Sequence, residues 1–299
     1  MIFGVTKSTG LIEGGKMHKV LVMIGLMIAV SSISGMKIHE RGQIMGDTSK
    51  VVVRDLTITV VYDNYPYREG LRTSWGFACV VRGTEKTILF DTGGDASILL
   101  SNMDKLGIEP KDIDVIVLSH IHGDHVGGLH GFLESNPHVT VYLPKSFTKS
   151  FKDGVKAYGA EVVEVYKPTR ICTAVYSTGE LGTWIKEQSL IIRTDKGLVV
   201  ITGCAHPGIV NIVTKARELL DDNILLVMGG FHLLDKSRAE IEKIINSFKQ
   251  LGVQYVGACH CSGDTARRMF ASEYKKRFIN IGVGKAITAE DLESKEVRR

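Results

Sequence analysis

The chain has no disulfide framework to build on. Its five cysteines, Cys79, Cys172, Cys204, Cys259 and Cys261, are odd in number and follow no regular spacing, which argues against a cystine-stapled scaffold. It has no apolar run of the ~20 residues that a membrane-spanning helix needs; the apolar stretch over residues 20–30 is too short. It has no stripe of one charge sign, because the formal net charge is +4 and the excess Lys and Arg are dispersed. Nothing therefore demands nucleic acid as a partner. Strict internal repeats are also absent. What remains, with 44% hydrophobic and 23% charged residues in 299, is the composition of a soluble globular protein of one large domain or two small ones.

Residues 1–50 differ from the rest. Lys16, His18 and Lys19 precede the apolar residues 20–30, and Ser31, Ser32, Ser34 and Gly35 follow. This is the layout of a secretory signal, with a basic start, a short apolar middle and small residues at the exit. It favours export or membrane anchoring, with membrane contact through residues 20–30. Initiation at Met36 would remove the segment and leave the protein cytoplasmic. Residues 37–54 read as a polar linker with the fold beginning at Asp55, and the chain is divided into a signal-like segment with linker (1–50) and a folded domain (51–299).

From residue 55 onward, short β-branched runs alternate with helical spacings. Strands are predicted over 56–62, 75–81, 87–90, 115–118, 139–143, 161–165, 171–177, 190–193, 198–202, 224–228 and 253–258. Helices are predicted over 96–106, 129–135, 147–158, 207–220, 239–251 and 265–278. Asp195-Lys196-Gly197 makes a hairpin turn. The tyrosines at 62, 65 and 67 either line a pocket or pack at the base of a loop.

The chemistry concentrates where the strand at 115–118 ends, in His120-Ile121-His122-Gly123-Asp124-His125. His120 and His122 can point the same way on extended backbone, and Gly123 lets the chain bend to aim Asp124 and His125 elsewhere. Neutral imidazoles and a carboxylate are the ligand set of a borderline divalent cation. Four such groups between a buried strand and a Gly127-Gly128 turn would otherwise be polar groups left at the edge of a core.

The segment resembles the His-x-His-x-Asp-His signature of the metallo-β-lactamase superfamily. The resemblance extends over most of residues 55–285 and implies an α/β (α+β) four-layer αββα sandwich with one or two divalent ions at one edge. Zinc is expected first, with manganese or iron as alternatives. Further imidazoles must come from other strand ends, and His206, His232 and His260 follow predicted strands. Under the resemblance, His120, His122 and His206 hold one ion, and Asp124, His125 and His260 the other. His232 faces substrate or is a core histidine, and Asp124 also orients a reacting group. Where many members carry a metal-bridging aspartate, this chain has Cys204, either a thiolate ligand or a small buried hydrophobe. Where many carry an upstream histidine, it has Glu187-Gln188. Asp91, in Asp91-Thr92-Gly93-Gly94, either orients the metal-binding loop or is a plain turn aspartate. If the strand through 253–258 continues, His260 faces the metal while Cys259 and Cys261 point away into packing. His39, His130 and His138 read as surface residues.

The stretches Thr202-Gly203-Cys204-Ala205-His206-Pro207-Gly208, Gly229-Gly230-Phe231-His232 and Cys259-His260-Cys261-Ser262-Gly263 are similar to a branch of dihydropterin–ribofuranosylaminobenzene phosphate synthases. These join a dihydropterin methyl diphosphate to an aryl amine and release pyrophosphate. The resemblance implies a transferase-like enzyme acting on a small anionic, phosphorylated substrate. The alternatives are a hydrolase of a phosphoester, lactone or thioester, and a non-catalytic metal or redox sensor. The oligomeric state is open.

Overall fold

The structure, a computed structural model, describes residues 51–293. The signal-like segment, its boundary at residue 50 and His39 lie outside the described residues. Among those residues no helix is long and apolar enough to cross a membrane.

Two sheets form the middle of the molecule. The first has the order β13-β1-β2-β3-β4-β5-β6 and is built from β1 (Thr57–Tyr62), β2 (Ala78–Arg82), β3 (Ile88–Phe90), β4 (Val115–Val117), β5 (Thr140–Pro144), β6 (Glu161–Val165) and β13 (Ala286–Thr288). The second has the order β12-β11-β10-β9-β8-β7, from β7 (Thr169–Cys172), β8 (Val175–Ser177), β9 (Leu190–Thr194), β10 (Gly197–Thr202), β11 (Ile224–Gly230) and β12 (Tyr255–Cys259). Side chains alternate along each strand. In β3, Ile88 and Phe90 enter the core between the sheets while Leu89 faces outward; in β4, Val115 and Val117 point in and Ile116 points out. From the second sheet Leu190, Ile192, Val199, Ile201 and Met228 meet them.

Helices cover the outer faces. α1 (Ala96–Lys105), α3 (Leu129–Ser135) and α4 (Lys149–Ala157) pack Leu99, Met103, Phe132 and Val155 on the first sheet. On the other side, Phe248 of α6 (Arg238–Gln250) and Phe270 of α7 (Gly263–Tyr274) stack with Phe231. The short α2 (Gly123–Val126) and α5 (Ile209–Leu220) complete the set used below. Starts are chemically marked: Asp95 and Thr148 accept from the amides of Ile98 and Phe151, and Ser237 with Glu240 forms a capping box. The result is the expected αββα sandwich.

Three differences from the sequence reading have local causes. The single strand predicted at 171–177 is a hairpin, because Ala174 takes φ 62° and turns the chain between β7 and β8. α5 begins at Ile209, since Gly208 with φ 92° is its N-cap. β13, paired with β1 from Thr57↔Thr288 to Thr59↔Ala286, escapes notice because three residues are too short to show alternation.

β3, β4, β5 and β6 run parallel, as do β10, β11 and β12. Parallel strands need crossover connections, so their C-terminal ends collect at one rim. β9 is antiparallel to β10, so its first residues reach the same rim. The stretches after β3, β4, β10, β11 and β12 are those that carry the candidate residues.

Candidate metal centre

The rim gathers the predicted residues into two adjoining groups. In one, His120 Nε2 lies 3.1 Å from His122 Nδ1, and the His206 ring sits 4.8 Å from each of those rings. In the other, His260 Nε2 is 3.2 Å from His125 Nε2 and 3.2 Å from Asp124 Oδ2, and His125 Nε2 is 3.6 Å from the same oxygen. Cys204 joins them: its Sγ is 3.2 Å from His125 Nε2, and it shares ligand-distance clusters with both groups.

Hydrogen bonds around the rim decide which nitrogens are free. Asp91 is fully buried at the end of β3. Its Oδ1 accepts from the Ser119 amide at 2.6 Å, and its Oδ2 accepts from Ser119 Oγ and from His125 Nδ1, both at 2.7 Å. Having given its proton to Asp91, Ser119 Oγ accepts from His120 Nδ1 at 2.9 Å. His260 Nδ1 donates to Asn64 Oδ1 at 3.1 Å. These assignments leave the Nε2 lone pairs of His120, His125 and His260 aimed inward. His206 Nε2 is buried with no hydrogen-bond partner. Lone pairs and a carboxylate converging within about 3.2 Å repel one another unless a cation lies among them, so the donor set fits a divalent ion.

The electrostatics of His120 and His206 agree. Burial, with the neighbouring imidazoles, drives His120 well below its ordinary value, and burial beside His232 and His122 pushes His206 down to about 4. Both are thus in the neutral form that ligates metal. Burial alone would lower His125, but the Asp91 carboxylate outweighs it and raises it. Burial alone would raise Asp124, but His260 and His125 hold it well below the usual carboxylate range.

Local backbone strain aims these groups. Among the described residues seven non-glycines have positive φ, and four are here: Asp91 (56°), Ala205 (60°), His232 (54°) and His260 (46°). Such conformations persist only where the surroundings enforce them. Gly203 and Gly230 permit the close approach. A Cβ on Gly203 would lie 2.1 Å from Ser119 Oγ, and one on Gly230 would lie 2.7 Å from Cys261 Sγ.

Glu187 is the residue that sequence reasoning undervalued. It is completely buried just before β9, and its carboxylate accepts the amides of Cys204, Ala205 and His206 at 2.8–2.9 Å. It holds the strained loop that delivers Cys204 and His206. Burial pushes it up to about 7 against the pull of those amides. The available signal is a charged residue abutting a strand with no polar face. Asn64 and Ser119 belong to no motif that would single them out in the sequence.

Cys261 corrects an expectation. β12 stops at Cys259, His260 takes positive φ and a 3-10 turn follows, so alternation ends there. Cys259 points into the core as predicted. Cys261 Sγ instead turns to the rim, accepting from the His232 amide at 3.3 Å and lying in a cluster with Cys204 and His232. His232 is exposed, with its ring 4.4 Å from that of His206. The two histidines line a cleft of about 420 Å³ with Pro207, Asn211, Phe231 and Lys236. Tyr62 is buried, and Tyr65 packs under Arg267 at 3.5 Å with its hydroxyl on Asp264, so these two tyrosines are packing residues. His130 and His138 are exposed, as expected.

Fold and site define a class, an αββα sandwich whose rim gathers five histidines, an aspartate and a cysteine as candidate metal ligands, with His232 and Cys261 beside them. The metallo-β-lactamase superfamily model matches residues 76–217. The 7,8-dihydropterin-6-methyl-4-(β-D-ribofuranosyl)-aminobenzene-5′-phosphate synthase of Methanocaldococcus jannaschii is 33% identical over 250 residues, covering 69% of this chain and 85% of that protein. Among solved structures, a metal-dependent hydrolase of the β-lactamase superfamily is 32% identical with a TM-score of 0.66, covering 78% of this chain and 98% of that one. The metallo-β-lactamase fold protein YhfI of Bacillus subtilis shares the fold at 14% identity and a TM-score of 0.59, over 78% of this chain and 99% of that one. The chain belongs to the metallo-β-lactamase superfamily.

Proposed function

We propose that the protein is a metal-dependent enzyme acting on a small anionic, phosphorylated substrate, in a synthase-type reaction that forms a C–N bond and releases pyrophosphate. The observation that carries the metal dependence is the convergence of bare imidazole nitrogens with Asp124 and Cys204. His120, His122 and His206 would hold one ion, and Asp124, His125 and His260 the other, with Cys204 between them. Divalent ions held there, zinc first and manganese or iron otherwise, would supply charge neutralisation at a phosphorylated leaving group or activation of a water.

The chain's own residues then supply position and protons. Asp91 and Asn64 fix the ring orientations. Asp124, partly exposed at the mouth, accepts a hydrogen bond from an attacking N–H or O–H. His232, exposed beside His206, faces the cleft in which an anionic substrate would lie. The synthase reading draws support from the likeness to the Methanocaldococcus enzyme across most of that protein's length. A second reading, a hydrolase of a phosphoester, lactone or thioester, is favoured by the likeness to the metal-dependent hydrolase.

One experiment separates them. A dihydropterin methyl diphosphate is incubated with and without an aryl amine, and pyrophosphate and organic products are measured. Amine-dependent pyrophosphate release, lost in His120→Ala, supports the synthase. Water-dependent cleavage without amine supports the hydrolase. No turnover of this or other phosphorylated substrates by metal-loaded protein would refute the enzyme reading.

A further inference from the structure

We propose that Cys204, His232 and Cys261 form a separate metal site that takes a thiophilic d10 cation such as Zn²⁺ or Cd²⁺. The histidine–aspartate groups described above do not include Cys261 or His232, and the function proposed for the rim uses neither as a ligand.

The first observation is the different fate of the cysteines. Cys79, Cys172 and Cys259 lie in the apolar core between the sheets, where a thiol behaves as a small hydrophobe. Cys204 and Cys261 are equally buried but face polar groups. Cys204 Sγ is 3.2 Å from an imidazole nitrogen, and Cys261 Sγ takes a backbone N–H at 3.3 Å. Both are free thiols, with Cys261 Sγ 3.6 Å from the Cys204 carbonyl.

The second observation is geometric. One ligand atom from each of Cys204, His232 and Cys261 lies within 4.8 Å of the other two. A tetrahedral zinc site with Zn–S near 2.3 Å and Zn–N near 2.0 Å separates its ligand atoms by about 3.5 Å. Small side-chain rotations close that difference. The three residues come from the ends of adjacent parallel strands, β10, β11 and β12, and two of the strained residues, His232 and His260, set their directions. Such strain has no packing purpose at an exposed histidine.

The third observation is the surroundings. His232 lines the 420 Å³ cleft, so a cation held by two sulfurs and one imidazole keeps its fourth position towards open space. Three protein ligands with one exchangeable position is the arrangement of reactive rather than structural zinc sites. Two thiolates also select for soft cations, whereas the imidazole-rich groups do not discriminate in this way. A thiolate has lone pairs for two cations, so Cys204 can serve this site and the neighbouring one together. Binding releases the thiol protons to solvent.

The test is a Cd²⁺ titration of full-length protein stripped of metal by chelator and kept reduced with a thiol-free phosphine. Bound ions per chain are counted by native mass spectrometry, and the thiolate-to-cadmium band is read in the ultraviolet. Cys261→Ser and His232→Ala should each bind one ion fewer than the parent, with Cys261→Ser also losing part of the band. His232→Gln should do the same if truncation to alanine disturbs the fold by circular dichroism. A His120→Ala/His122→Ala chain should keep the sulfur-bound ion. Unchanged stoichiometry and band in both Cys261→Ser and His232→Gln would overturn the proposal, as would loss of the band in the double histidine variant. The readout needs no substrate, so it stands whether or not the synthase reading does.

Discussion

His125 Nδ1 and Asp91 Oδ2 lie 2.7 Å apart, both fully buried, and the same carboxylate reaches His120 through Ser119 Oγ. One aspartate thereby sets the tautomer of a ring in each of the two groups. Partners of this kind typically change metal affinity or activity by about 10- to 100-fold. Asp91→Ala should weaken retention of both ions by that factor, measured by competition with a chromophoric chelator, with a native circular dichroism spectrum. Wild-type retention and turnover in this variant would reduce Asp91 to a turn residue.

Glu187 offers a second test. Its removal leaves the three amides of Cys204, Ala205 and His206 buried without an acceptor, at about 1–3 kcal/mol for each unsatisfied group. Glu187→Ala should lower the melting temperature and release metal from the group that contains His206. Glu187→Gln keeps one acceptor oxygen and should recover part of the stability. If the alanine variant melts like the parent, the loop is held by something else.

His260 and Cys259 are neighbours with opposite roles. His260→Ala should abolish turnover and cost one bound ion per chain, because its Nε2 meets both His125 and Asp124. Cys259→Ser should alter stability by about 0.5–3 kcal/mol, the ordinary range for a core change, and leave metal content as it was. Elemental analysis of the two purified variants distinguishes them; equal metal loss in both would contradict the geometry.

Asp63 links stability to pH in the metal-free protein. Burial raises its carboxyl from 3.8 to about 6, so the folded chain prefers the protonated form. Its contribution to stability is fully present below the unfolded value and is lost as pH rises through the folded one. Asp63→Asn imitates the protonated form and keeps the bond that Oδ1 accepts from the Tyr65 amide. Urea unfolding should therefore show the variant more stable than the parent at about pH 8, on the order of 2–3 kcal/mol. The two should converge near pH 4. A variant less stable at both pH values would mean that the charge is compensated.

The sequence by itself determined the strand–helix alternation and the anchor of the site, while the four-layer order followed from the family resemblance. Unbroken apolar runs such as those of β3 and β4 mark strands buried on both faces, and the helical spacings between them supply the elements that cover the sheets. The cluster from His120 to His125 declares itself because ligand types at that density have no packing use. Partnership across the chain is not written in that way. That Asp91 orders His120 and His125, that Asn64 orients His260 from 196 positions away, and that Glu187 clamps the loop to His206 depend on which strand ends share a rim. The direction of Cys261 could not be read either, since strand alternation predicts it only until the chain leaves the strand. One positive φ at His260 turned that sulfur from the core to the rim. Local pattern sets what each segment buries; only the folded chain decides which polar groups, once denied water, must satisfy one another.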